Sequence, residues 1–136
     1  MDVNLLVAFA KSKLDEPFVH QGRGVGGYDC IGLVLCGLAE QGVEVEAPVD
    51  YGTYPTGTKL LARIEESGLV FARDTLEPKP GDLLVFKIHD NPQHVGLSLG
   101  DGQFIHATSA SKFVRLAHLG PYWKNNLIKC YGWLNG

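Results

Sequence analysis

The feature that most constrains this chain is an abrupt change from a glycine-rich loop to an apolar segment. Residues 22–27 include four glycines, and the residues that follow Asp29 are apolar almost without interruption as far as Glu40. Asp29 is a preferred type of helix N-cap, and an apolar run without a polar stripe is typical of a helix buried on all sides. We therefore predict a central helix over residues 30–41 that enters the core directly from the loop.

Cys30 falls in the first turn of this predicted helix. A helix start carries unpaired backbone N–H groups and partial positive charge, which favour a thiolate over a thiol. The position therefore predicts a lowered pKa for Cys30 and a role as a nucleophile, provided that a base lies elsewhere in the chain.

The remaining pattern predicts helices first and strands second. Helices are expected over residues 2–14 and 58–67, from apolar residues at helical spacing. Apolar runs bounded by turn residues predict strands over 83–86, 94–99, 104–107, 113–116 and 128–134. This order favours an α+β domain, with N-terminal helices packed on a C-terminal antiparallel sheet of about five strands, in one domain over residues 1–136.

Two histidines lie on strands that a short turn joins. His94 and His106 flank the segment Gly100–Gly102, so an antiparallel hairpin would bring their side chains close together. If Cys30 packs there, it would attack, His94 would take its proton and His106 would orient His94. A cysteine in a helix or a histidine on a strand is often purely structural, so these positions alone leave catalysis open.

Charge and cysteine content exclude several classes of protein. The chain of 136 residues has a net charge of −3 and no basic run, so we predict no nucleic-acid partner. Its N-terminus lacks the pattern of a secretory signal and no apolar run is long enough to span a bilayer, which predicts synthesis in the cytoplasm and no membrane partner. Three cysteines without a C-x-x-C pair predict free thiols.

Four segments resemble the signature blocks of the NlpC-type cell-wall cysteine peptidases, in that family's order and spacing. They are Tyr28–Val34, Pro80–Phe86, His94–Gly100 and Phe104–Ala107. The resemblance implies a papain-like fold and hydrolysis of peptidoglycan stem peptides, with the γ-D-glutamyl–diamino acid bond favoured. It also implies that Cys30 is the nucleophile, His94 the base and His106 the third polar residue, with no metal and no cofactor.

The same resemblance suggests residues that bind substrate. Tyr28 matches an aromatic residue that lines the cleft, and Ile31 stands where the family usually has serine. Asp29 and His20 complete the predicted substrate-binding set, although Asp29 is also the expected helix cap and His20 lies in a loop that departs from the family's aromatic-rich pattern.

Stand-alone domains of this type are similar to those carried by phage tails and phage-derived particles. We therefore expect particle proteins as partners and action at the cell wall. Three alternatives stay open: a non-catalytic module that binds wall peptides or serves a particle structurally, a thiol-dependent acyltransferase or amidase, and a zinc site built from Cys30, His94, His106 and Cys130.

Overall fold

The structure, a computed structural model, describes residues 1–45, 59–74, 77–88 and 91–134. The residues in these ranges form four helices and six strands, which are, in chain order, α1 Val3–Ser12, α2 Cys30–Glu40, α3 Lys59–Glu66, β1 Val70–Arg73, β2 Leu83–Ile88, β3 Asn91–Gly100, β4 Gln103–Thr108, β5 Phe113–His118, α4 Pro121–Asn126 and β6 Leu127–Trp133. The α+β class predicted from the sequence is confirmed.

The strands form one antiparallel sheet in the order β1-β6-β2-β3-β4-β5. The sheet has one strand more than the five predicted. The additional strand is β1, in which no residue is fully buried and the two central residues are exposed. Because an edge strand buries little side-chain surface, it carries a weak periodic signal, and the sequence prediction missed it.

One face of the sheet packs against the N-terminal helices. Along each strand, successive side chains point to opposite faces of the sheet. The side chains of β2, β3 and β4 that point to this face form one apolar cluster with Leu6 of α1 and with Leu33 and Leu38 of α2. The sheet residues of that cluster include Leu83, Val85, Val95, Leu97, Ile105 and Ala107.

The opposite face of the sheet carries a second cluster. Leu84, Phe86, Phe104 and Cys130 are buried there, and Trp123 of α4 packs against them. Helix α4 was not predicted, because its six residues, Pro-Tyr-Trp-Lys-Asn-Asn, show no helical apolar period. Its effect is to cover with an aromatic ring a face that would otherwise be open.

Helix α2 starts where the sequence predicts. The side chain of Asp29 accepts a hydrogen bond from the Gly32 N–H at 2.6 Å, so it is the N-cap, and Cys30 is the first helical residue. Close packing against α1 depends on Gly37, because a Cβ there would lie 2.7 Å from Leu6 Cδ1. The helix is thereby held with its N-terminus at the sheet.

Candidate active site

The site is built where β3 and β4 separate. Their pairing runs from the turn at Asp101–Gly102 back to Leu97 and Ile105. The Ser98 N–H donates to the Asp82 carbonyl on the β2 side, so by alternation the N–H of Val95 faces the β4 side. The backbone N–H of Val95 acts to lower the pKa of the Cys30 thiol, which indicates that the sulfur lies near this N–H. The nucleophile predicted from the sequence therefore lies near β3, at the residue that follows His94.

The two predicted histidines meet on the other side of the same opening. His94 Nε2 and His106 Nδ1 are 2.7 Å apart, within hydrogen-bond distance, and both side chains are buried. They project from the face that carries Phe86 and Phe104. Gly96 leaves room for the Phe104 ring, since a Cβ there would lie 2.9 Å from Phe104 Cδ2. Because Nε2 of His94 is engaged with His106, Nδ1 is the ring nitrogen of His94 that remains to exchange a proton with another group.

Aromatic rings enclose this histidine pair. The Trp123 ring centroid lies 5.9 Å from that of His94 and 5.1 Å from that of His106. Phe86 and Phe104 pack against the same two rings, with centroid separations of 6.0 Å and 4.7 Å. This arrangement removes the imidazoles from water.

Burial keeps both imidazoles neutral. Desolvation, together with the repulsion of the neighbouring His106, lowers the pKa of His94 to about 3. Desolvation likewise lowers the pKa of His106 to about 4. At neutral pH both rings are therefore uncharged, and a neutral imidazole is the form that can accept a proton.

The thiol of Cys30 is also neutral in this structure. Burial and, second, the charge of Asp29 raise its pKa to about 12, although the backbone N–H groups of Val95, Ile31 and Cys30 itself act in the opposite direction. The lowered pKa predicted from the helix start is thus wrong for the resting site. The predicted donors are present, but the loss of solvation outweighs them.

The four predicted substrate-binding residues lie in different environments. Tyr28 is buried, with its ring edge-on to Phe9, and Asp29 is buried as the helix cap. Ile31 is half-buried in the first turn of α2, and His20 is exposed in the loop before it. Whether these four residues bind substrate stays a prediction.

Sequence reasoning missed two residues beside the site. Trp123 covers the histidine pair, and Arg23 Nη1 lies 3.0 Å from Asp29 Oδ1. The only signal for Trp123 was an aromatic residue just ahead of the last strand. For Arg23 it was a single basic residue in a glycine-rich loop, and neither has a spacing that identifies a partner.

The zinc alternative finds no support in the described part of the chain, where no three His, Cys, Asp or Glu residues are grouped so as to hold a metal ion. Cys130 lies in the second apolar cluster, and its Sγ donates to Asp82 Oδ2 at 3.4 Å. Among the described helices, none combines the length and apolarity needed to cross a membrane.

Comparison with known proteins agrees with this geometry. The sequence profile of the NlpC/P60 family matches residues 15–131, which include the thiol and both histidines. The chain belongs to the NlpC/P60 family. It is 30% identical over 122 residues to the probable endopeptidase YafL of Escherichia coli K12, covering 87% of this chain and 45% of that protein.

Two further NlpC/P60 proteins are similar. The murein DD-endopeptidase MepS/murein LD-carboxypeptidase of Escherichia coli K12 is 32% identical over 99 residues, which are 72% of this chain and 45% of that protein. A crystal structure of a family member from Bacillus cereus ATCC 10987 superposes with a TM-score of 0.70 at 24% identity, covering 96% of this chain and 39% of that one. The structural likeness shows a shared papain-like fold. The chain spans less than half the length of these relatives.

Proposed function

We propose that this domain is a cysteine endopeptidase that hydrolyses peptide bonds in the stem peptides of peptidoglycan. The observation that carries the proposal is the contact of His94 Nε2 with His106 Nδ1 at 2.7 Å, next to Val95, whose backbone N–H acts on the Cys30 thiol. The names of the relatives, an endopeptidase and a murein endopeptidase, support the substrate class.

The acylation step uses the neutral forms of both groups. As Sγ of Cys30 bonds to the carbonyl carbon of the substrate, its proton passes to Nδ1 of His94. His94 then carries a proton on each nitrogen, and Nε2–H donates to His106 Nδ1, which stabilises the imidazolium. The backbone N–H of Cys30, at the helix start, is the donor expected to stabilise the oxyanion.

Breakdown of the intermediate restores the site. The carbon–nitrogen bond breaks, the proton on His94 Nδ1 passes to the leaving amine, and a thioacyl-enzyme is formed on Cys30. Water then attacks the thioester and gives a proton to His94, the carboxylic product leaves, and that proton returns to the sulfur. One peptide bond and one water are consumed, and no cofactor is required.

The arrangement also suggests how proton transfer is timed. With the pKa of the thiol raised and that of His94 lowered, a separated thiolate–imidazolium pair is disfavoured until substrate arrives. The nucleophile is thus protected at rest, and the proton moves as the carbon–sulfur bond forms.

Digestion of defined muropeptides tests this proposal. Purified disaccharide tetrapeptide and its cross-linked dimer are incubated with wild type, Cys30→Ala and the matched control Cys130→Ser, and the products are identified by mass spectrometry. We expect wild type and Cys130→Ser to cleave, with the γ-D-glutamyl–diamino acid bond as the favoured site, and Cys30→Ala to leave the substrate intact. Identical products from wild type and Cys30→Ala would refute it.

Product identity also separates the alternative functions. An acyltransferase would yield a new amide or ester when an amine or alcohol is supplied, whereas a peptidase yields the free acid. A wall-binding module would retain the muropeptide in a pull-down without changing its mass.

The expected setting, a phage or phage-like particle acting at the cell wall, stays part of this proposal. Detection of the chain in purified particles by mass spectrometry would support it. Its absence from particles produced by the same cells would count against it.

A further inference from the structure

A buried carboxylate stands directly beside the nucleophile. Asp29 precedes Cys30 in the chain, is only 4% exposed, and its Oδ1 accepts the Gly32 N–H at 2.6 Å. The cap fixes the first turn of α2 and thereby the sulfur. It also brings a negative charge next to a group that must become negative during attack.

That charge opposes the chemistry proposed for the site. Like charges a few ångströms apart in a poorly solvated environment disfavour the second ionisation. The Asp29 carboxylate accordingly acts with burial to raise the pKa of Cys30. A capping serine or asparagine would fix the helix start without this disadvantage.

Arg23 lies where it can offset the charge. Its Nη1 is 3.0 Å from Asp29 Oδ1 and 3.1 Å from the carbonyl oxygen of Gly22. The side chain is about one quarter exposed, so the ion pair is partly shielded from water. Burial raises the pKa of Cys36, and the same guanidinium acts in the opposite direction, so its field extends along α2.

The junction that holds Arg23 is closely packed. The Gly22 carbonyl oxygen accepts hydrogen bonds from the Arg23 guanidinium and from the Asp29 N–H. This oxygen lies so close to α2 that a Cβ on Gly32 would be 1.9 Å from it. The glycine-rich loop therefore places the cation against the cap of the nucleophile's helix.

We propose that Arg23 is a positioning residue for Cys30: it keeps the Asp29 carboxylate on the Gly32 N–H and screens its charge, so that the sulfur can give up its proton. The catalytic consequence rests on the proposed function, but the effect on the thiol does not depend on any substrate. Arg23 thus acts on the reaction through Asp29 and does not contact the reacting atoms.

Thiol reactivity measures this role directly. The rate of carboxamidomethylation of Cys30 by iodoacetamide is followed by peptide mass spectrometry from pH 6 to 10, with Cys130 as an internal reference. The proteins are wild type, Arg23→Gln, Arg23→Lys, Asp29→Asn and the double variant Arg23→Gln/Asp29→Asn. Circular dichroism spectra and melting curves confirm that each variant is folded.

We expect the Arg23→Gln profile to move to higher pH by about half to one unit, which is an approximately three- to tenfold slower reaction at a given pH. Arg23→Lys keeps the charge and should restore most of the rate. The double variant removes both charges while asparagine preserves the cap, so it should react at least as fast as wild type.

Two results would overturn the proposal. One is an Arg23→Gln profile that coincides with wild type. The other is a folded double variant that stays as slow as Arg23→Gln, which would show that Arg23 only stabilises the loop.

Muropeptide cleavage by the same proteins separates this inference from the proposed function. If wild type cleaves nothing and the order of alkylation rates is still as expected, the proposed function fails and the role of Arg23 stands. If wild type cleaves and Arg23→Gln is unchanged in both assays, the role of Arg23 fails and the proposed function stands.

Discussion

Two thiols in this molecule have the same kind of neighbour and differ in how they are hydrogen-bonded. Cys30 lies beside Asp29, which pairs with Arg23 at 3.0 Å, and Cys130 lies beside Asp82, whose Oδ2 is 2.7 Å from Arg73 Nε. The pKa of each thiol is raised to about 12, with burial as the largest cause. A neighbouring aspartate–arginine pair is therefore common to both thiols and does not explain why only Cys30 would be the nucleophile in the proposed mechanism.

The two thiols differ in the groups that surround the sulfur. Cys130 Sγ donates its hydrogen to Asp82 Oδ2 at 3.4 Å, which holds the proton on the sulfur. At Cys30 the backbone N–H groups act to lower the pKa, and the Asp29 Oδ1 accepts from the Gly32 N–H at 2.6 Å. In the proposed mechanism the proton of Cys30 passes to His94 of β3, which contacts His106 of β4, whereas Cys130 is clustered with apolar side chains.

The largest expected effect on cleavage distinguishes the surroundings of Cys30 from those of Cys130. His94→Gln removes the proton acceptor and should lower the rate of muropeptide cleavage about 1,000-fold, within the range usual for general bases. Cys130→Ser should keep cleavage within about twofold of wild type, because nothing in the mechanism uses that thiol. Initial rates at pH 7.5 check both, and equal losses in the two variants would erase the distinction.

Acid should destabilise the protein through the histidine pair. Below pH 6.5 the histidines of the unfolded chain take up protons, whereas those of the folded chain do so only near pH 4 and pH 3, so the free energy of unfolding falls as pH falls. Two such groups contribute at most about 2.7 kcal/mol per pH unit between pH 6 and 4.

Urea unfolding followed by circular dichroism at pH 7, 6, 5 and 4.5 measures this dependence. His106→Gln should show about half the slope of wild type. A slope that is the same in both proteins would mean that the imidazoles are not buried as neutral groups.

Removing the third residue should have a smaller effect than removing the base. His106→Ala deletes the partner of His94 Nε2, and a lost hydrogen bond to a charged group costs about 1.5–3 kcal/mol, or roughly 10- to 100-fold in rate. His106→Gln keeps an acceptor oxygen and should lose less. Cleavage kinetics for both variants test the order, and an alanine variant as active as wild type would exclude an orienting role.

The aromatic cover should give the smallest change. Trp123→Ala admits water to the imidazoles, so their pKa values should rise toward the usual range and the rate near pH 6 should fall a few-fold, while Trp123→Phe keeps most of the cover. The pH–rate profile from pH 5 to 8 detects the shift. An unchanged acid limb in Trp123→Ala would show that the ring is not needed to exclude water.

Most of the fold was accessible from the sequence because its elements carry strong periodic signals. The runs that became α2 and β2 to β4 have apolar residues at spacings that only a buried helix or strand explains. Strand β1 and helix α4 were not predicted, because one is a short edge strand and the other owes its place to a single tryptophan that packs on the sheet.

The candidate site likewise has features that the sequence predicts and features that it does not. The contact of His94 with His106 follows from two strands and a turn, so a local pattern predicts it. The pKa of Cys30 was predicted in the wrong direction, because the number of helix-start donors can be read from a sequence whereas the depth of burial cannot. The contact of Arg23 with Asp29 depends on how a glycine-rich loop folds back, and no spacing rule describes it.

The most direct test of the account is to follow activity while the thiols are alkylated. Wild-type protein is treated with iodoacetamide at pH 8.5, and at each time the residual muropeptide cleavage is compared with the labelled fraction of Cys30, Cys36 and Cys130. We expect activity to fall in proportion to the label on Cys30 and to be independent of the label on Cys36 and Cys130. Full cleavage by protein whose Cys30 is completely labelled would contradict it.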